Sequence, residues 1–272
     1  PRVVVTVGAA VVAVASIKGG VGKTSAAVNL ARLSAAAGRR TLLWDLDPQG
    51  AATYVFDVAG RVAGGARRLV RTSRQLAQSP VATAYDHLDV VPADFSLRYL
   101  DLELAALAKP RRRVGRMLDR LGDRYDVVYL DCPPGITLTV ESVLRATDVV
   151  LVPVVPSALP MRSFDQLASY MRADTRLRRV EITAFLSMVD LRKRVHRSMI
   201  DELPRDRRDV LSSWTPYSVD VEAMAVDRAP VVDARPKTPA AESYRALARE
   251  LDGAFGIPPG PAASADVDRG TT

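Results

Sequence analysis

Short apolar runs alternate with longer segments whose apolar residues recur every three or four positions, from residue 11 to residue 253. The runs predict strands over 11–16, 41–45, 88–91, 126–130, 148–152, 180–186 and 210–215. The longer segments predict helices over 23–37, 95–108, 111–121, 136–146, 160–174, 192–203 and 240–252. Gly38 stops the first helix. This alternation predicts an α/β fold: a doubly wound, mostly parallel sheet with helices on both faces. Such sheets bind ligands in the crevice beyond the carboxyl ends of their strands. Three polar segments fall there: 18–24, 48–50 and 132–135.

The first of them reads KGGVGKT and joins a strand to a helix. It fits the phosphate-loop pattern G-x-x-x-x-G-K-[ST] except that Ile17 stands where the first glycine would. Glycines let successive N–H groups turn inward onto phosphate oxygens, and the following helix adds its positive end. Gly19, Gly20, Val21, Gly22, Lys23, Thr24 and Ser25 are therefore the expected nucleotide cradle. Lys23 suits the β- and γ-phosphates, and the Thr24 hydroxyl suits Mg²⁺. A Gly-rich surface turn is the plainer alternative, disfavoured by the flanking strand and helix.

Asp131 ends the apolar run 127–130, where a carboxylate either holds a metal or caps the next helix. Asp45 and Asp47 are two residues apart and would face one side of a continuing strand. The alternative is that they cap a helix beginning near Gln49.

With 48% apolar residues in 272, the chain has ample material for a core. Its one cysteine, Cys132, excludes a disulfide framework or a cysteine-rich zinc or iron–sulfur site and fits a reducing cytoplasm. The apolar stretch 3–17 is too short to span a bilayer and runs straight into the phosphate loop. Residues 11–253 are expected to form a single domain. Residues 1–10 form either an edge strand or a disordered extension. Residues 254–272, rich in Pro, Gly, Ala and Ser, form an expected disordered tail without a membrane-binding basic helix. Between Asp57 and Asp86 arginines accumulate without any acid, which predicts a mobile or partly helical surface segment.

KGGVGKT, DLDPQG at 45–50 and LDCPPG at 130–135, in that order and spacing, resemble the ParA/MinD family of deviant Walker A ATPases, closest to partition-type ParA proteins. The resemblance covers about residues 11–253. It implies a P-loop NTPase with ATP and Mg²⁺ as cofactors, slow intrinsic turnover and a cytoplasmic, nucleoid-associated life. Lys23 and Asp47 would be catalytic, with Asp47 orienting the attacking water. Lys18 would reach the phosphates of a partner subunit, so that ATP builds a homodimer. Thr24 and Asp131 would serve the metal, with Asp45 near its water shell. Met188, Asp190 and Pro216 correspond to the adenine pocket.

The resemblance also implies a centromere-binding ParB-type partner and non-specific double-stranded DNA. A net charge of +7, mostly from arginine, leans the same way. Arg192, Lys193, Arg194 and Arg197 open a helix, and Lys237 falls where such proteins often carry arginine. Tyr217 and Asp220 depart from the basic residues of close relatives. Rival readings keep the fold. They are positioning of a chemoreceptor array, microcompartment or division site, a metabolic ATP-dependent ligase, or a DNA-binding protein without turnover.

Overall fold

The all-apolar runs become strands because helices cover both faces of the sheet, so neither face needs polar residues. The structure, a computed structural model, describes residues 9–62, 64–72, 74–257 and 260. These form one eight-stranded sheet: β1 (Ala10–Val14), β2 (Thr41–Asp45), β3 (Val81–Ala82), β4 (Leu88–Val91), β5 (Val127–Asp131), β6 (Val149–Val154), β7 (Glu181–Val189) and β8 (Val210–Pro216). Their order is β3-β4-β2-β5-β1-β6-β7-β8. All neighbours are parallel except β3 and β4.

The helices are α1 (Lys23–Ala36), α2 (Ala51–Val55), α3 (Gly65–Arg71), α4 (Leu100–Ala105), α5 (Arg113–Leu118), α6 (Leu138–Leu144), α7 (Ala158–Ala173), α8 (Arg194–Asp206), α9 (Val219–Glu222), α10 (Met224–Asp227), α11 (Val231–Ala234) and α12 (Pro239–Phe255). Alternate strand residues serve two cores. Val11, Ala13, Trp44, Val128 and Leu130 pack with α3 to α7. Val12, Val14, Leu43 and Tyr129 pack with α1, α2 and α12. No described helix is long and apolar enough to cross a membrane.

Several expectations change. The segment after Asp57 is not confined to the surface: Ala66, Leu69 and Val70 of α3 and the following Leu76 are buried in the core. Its arginines point outward while every third or fourth residue is apolar, an amphipathic pattern hidden in the sequence by its shortness. The helices expected over 95–108 and 111–121 each begin as a 3-10 turn, at Phe95–Tyr99 and Pro110–Arg112, and leave only α4 and α5 as α-helix. At the far end α12 runs to Phe255, Gly256 closes it in the left-handed conformation, and Ile257 is buried. The expected tail boundary therefore moves past 257. At the other end Ala10 already belongs to β1. The remaining expectations for residues 1–8 and the tail lie outside the described residues.

Candidate active site

Three loops meet at the carboxyl edge of the sheet. Gly20 and Gly22 have φ of 68° and 88°, which glycine adopts without strain, and Gly22 leads directly into α1. The loop is held from two sides. Ser187 of β7 donates its hydroxyl to the Val21 carbonyl at 2.7 Å. The Gly135 N–H donates to the Ser16 carbonyl at 3.2 Å. Together they enclose a cavity of about 320 Å³ lined by residues 19–25, Asp47, Pro134 and Met188.

Lys23 is buried, and its ammonium donates to the Lys18 carbonyl at 3.2 Å. Burial lowers its pKa, while Asp131 and Asp47 pull the other way. The Lys18 side chain, by contrast, has no acidic partner among the described residues. A buried cation facing a Gly-lined cavity is a stabiliser for an anion placed there.

The β2–β5 register sets Asp45 opposite Asp131, and both are fully buried. Their surroundings separate their roles. The Asp45 carboxylate accepts from Thr53 N (2.9 Å), Thr53 Oγ1 (2.7 Å) and Asp47 N (3.2 Å). It therefore holds the first turn of α2, whose N-cap Gly50 has no side chain to offer. The helix-capping alternative describes Asp45, which does not line the cavity, and in part Asp47, whose Oδ1 accepts from the Gln49 N–H at 3.0 Å. Because β2 ends at Asp45, the two acids of D-L-D do not share a strand face; Asp47 turns into the cavity instead.

Asp131 is different. Neither of its carboxylate oxygens has a partner at full hydrogen-bond geometry among the described residues, although the Thr24 hydroxyl lies close enough to favour the charged form. Desolvation, with Asp45 alongside, drives its pKa well up, against the opposing pull of Thr24 and Lys23. Open carboxylate lone pairs beside a hydroxyl are a donor set that fits Mg²⁺. No described cluster of three metal-binding residues exists. Mg²⁺ commonly takes one or two carboxylates and completes its shell with phosphates and water.

Met188 reaches the cavity through a local irregularity. The register between β7 and β8 shifts between Leu186 and Val189, and Met188 sits at φ 54°. Such a conformation in a non-glycine residue costs about 1–3 kcal/mol and is retained where the fold holds it in place. Asp190 and Pro216 lie at the ends of β7 and β8 but outside the cavity lining. The Asp190 carboxyl is held down to about 2 by the guanidinium of Arg192.

Of the expected DNA residues, Arg192 is thus paired to an acid. Lys193, Arg194, Arg197 and Lys237 are exposed, and none has an acidic partner among the described residues. Asp220 is taken by Arg235 at 2.9 Å.

Two positioning residues escaped the sequence reading. Ser187 is a polar residue inside an apolar strand run, a signal in principle readable. Thr53 bridges Asp45 and the Ala93 N–H, which donates to its Oγ1 at 2.9 Å; nothing local announces it. Replacing Thr53 with valine leaves Asp45 and Ala93 short of partners, and should destabilise the protein by about 2 kcal/mol. Thermal melting should fall by about 4–8 °C; an unchanged melting temperature would deny Thr53 that role.

A family model described as an AAA domain matches residues 9–181. The chromosome partitioning protein ParA of Caulobacter vibrioides is 32% identical over 259 residues, covering 89% of this chain and 93% of that one. The sporulation initiation inhibitor protein Soj of Bacillus subtilis is 29% identical over 246 residues, covering 89% and 97%. Among solved structures, cobyrinic acid a,c-diamide synthase from Mycobacterium smegmatis, with bound ATP analog and magnesium, superposes with a TM-score of 0.75 at 24% identity. It covers 89% of this chain and 94% of its own, a likeness of fold alone.

Proposed function

Because the chain belongs to the ParA/MinD family of ATPases, close to the partition-type ParA proteins, we propose that it is a DNA-partition ATPase. It binds ATP·Mg²⁺, pairs into a homodimer, holds non-specific duplex DNA, and lets go when a centromere-bound ParB-type protein stimulates hydrolysis. It works in the cytoplasm, at the nucleoid. The observation that carries the reading is Asp131, a buried carboxylate with open lone pairs beside Thr24 and Lys23 at a glycine-lined cavity.

In this reading the loop N–H groups and Lys23 bind the β- and γ-phosphates. Thr24 and Asp131 hold Mg²⁺, which neutralises charge on those phosphates. Asp47, at the cavity wall, orients the attacking water. Asp45 acts behind it, fixing the turn that aims Asp47. Lys18, without an acidic partner, reaches the phosphates of a second subunit, which gives ATP its preference for the dimer. Met188 packs against the base, with Asp190 and Pro216 at its rim. Turnover is slow until the partner completes the arrangement.

Duplex binding gated by nucleotide tests the reading. Affinity for random-sequence duplex should rise about 5–150-fold from ADP to ATP, the usual range of such coupling. Arg194→Glu with Arg197→Glu should remove most of that rise and lower the salt slope by about 1.8, two phosphate contacts' worth. A wild type whose DNA affinity ignores nucleotide would send the search to other cargos. A variant that behaves as wild type would move the gated surface off α8, toward Lys237.

A further inference from the structure

The positive charge of this protein is not concentrated where α8 lies. Residues 190–209 carry seven Lys or Arg against five acids, and Arg192 and Arg207 are paired to Asp190 and to Asp165 and Asp209. Residues 109–124 carry seven against two. Here Arg111 pairs with Glu141, and Arg124 donates to the Ala77 carbonyl. The other five, Lys109, Arg112, Arg113, Arg116 and Arg120, have no acidic partner among the described residues. They fall at 109, 112, 113, 116 and 120, across α5 and the turns at its ends, and make one basic stripe whose members line adjoining clefts.

Arg113 shows that the stripe is short of anions. Its Nε and one terminal nitrogen are buried without a hydrogen-bond partner. Burial and the neighbouring Arg116 lower its pKa, so the site presses on its own charge. Clefts of about 450 and 300 Å³ flank Arg113 and Arg116. Arg112 and Arg116 also border a larger cavity of about 750 Å³, reached from Val11 and Val128 at the starts of β1 and β5. The stripe therefore lies at the sheet edge opposite the phosphate loop.

We propose that the basic face of residues 109–124 is a second, weaker contact for the phosphodiester backbone of duplex DNA, made in either nucleotide state, so that release on hydrolysis is the loss of the gated contact and leaves only this salt-sensitive one. Four of the five unpaired cations are arginines, whose planar forks match phosphate oxygens in pairs. None of the large apolar side chains exposed among the described residues lies between 107 and 124, so the face offers nothing to insert into a lipid layer. Because the stripe is complete in one protomer and remote from the nucleotide cavity, its contribution does not wait for ATP or for a dimer. Only the identity of the polyanion leans on the partition reading.

The test is duplex binding in ADP, by fluorescence anisotropy over a salt series. The probe is a random-sequence duplex and the variant carries Arg112→Gln, Arg116→Gln and Arg120→Gln. Loss of three phosphate contacts lowers the salt slope by about 2.7. Between 50 and 200 mM salt the wild type should then lose roughly 40-fold more affinity than the variant. The triple lysine variant should restore the slope, which a variant disabled by misfolding would not explain. Three results would overturn the proposal: no wild-type duplex binding in ADP at low salt, an unchanged slope in the glutamine variant, or displacement of DNA by polyglutamate at equal charge. Vesicles of anionic phospholipid should not bind; arginine-dependent vesicle binding without duplex binding would reassign the face. Tightening by ATP is a separate readout. Its absence from the wild type sinks the partition reading, while slope loss in ADP still supports the α5 face.

Discussion

Replacing Lys23 with alanine should abolish ATP hydrolysis, by at least about 10²–10³-fold, and weaken nucleotide binding with it. That range is typical for removal of one preorganised electrostatic donor from a water-poor site. The structure gives Lys23 more than a donor's role. Its ammonium is buried, crosses the loop to the Lys18 carbonyl, and is the cation whose charge opposes Asp131 and Asp47. Alanine would remove the phosphate-binding charge and leave both carboxylates without that opposing charge. ATPase assays with nucleotide titration decide the matter, and full turnover in the variant would end the phosphate-loop assignment. Loss of turnover with ATP affinity preserved would shift Lys23 from binding to stabilisation of the transition state.

The second large effect concerns Asp131. Asparagine at this position should make the nucleotide-free protein more stable while removing the response to magnesium. A buried carboxyl that resists ionising opposes folding at neutral pH, and a neutral amide beside Asp45 can donate to it. The gain should be about 2 kcal/mol, or about 4–8 °C in melting temperature.

The pH dependence gives the sign independently. Asp131 has a folded pKa raised above its unfolded value of 3.8, so the folded state holds a proton that the unfolded state releases. Stability from this group is complete below 3.8 and is lost as pH rises toward its raised value. The wild type should therefore lose ground to Asp131→Asn as pH rises, and the gap should close when Mg²⁺ and ATP are added to the wild type alone. Equal melting temperatures at neutral pH, or nucleotide binding in the variant that still answers to Mg²⁺, would remove Asp131 from the metal site.

Most of the sheet was legible because buried strands and amphipathic helices leave different periods in the sequence. β2 and β4 match the expected bounds, the short antiparallel edge strand β3 at Val81–Ala82 was not expected, and the others differ by a few residues at their ends. The short elements were not legible. α2, α3 and α9 to α11 span four to seven residues, too few turns for a period to show. They form because the sheet offers them an apolar surface, as Leu69 and Met224 show by being buried.

The same division runs through the site. KGGVGKT announces itself, since a tight anion-binding turn needs glycine at φ values other residues avoid, and needs its cation at a set distance along the chain. Local spacing is enough to specify both. Asp45 and Asp131 are equally plain as acids at strand ends, and the sequence could not tell a capping carboxylate from one with open lone pairs. The answer depends on Thr53 from another element, which saturates Asp45, while the Asp131 oxygens have no partner at hydrogen-bond geometry. Charge behaves alike. The chain states how many arginines it has, but only the fold determines which acids come within reach, and so leaves α8 partly neutralised and the α5 stripe bare. Chemistry carried by neighbours in sequence was determined by the sequence itself. Chemistry set by neighbours in space waited for the tertiary structure, because pairing and burial are properties of contacts between distant residues.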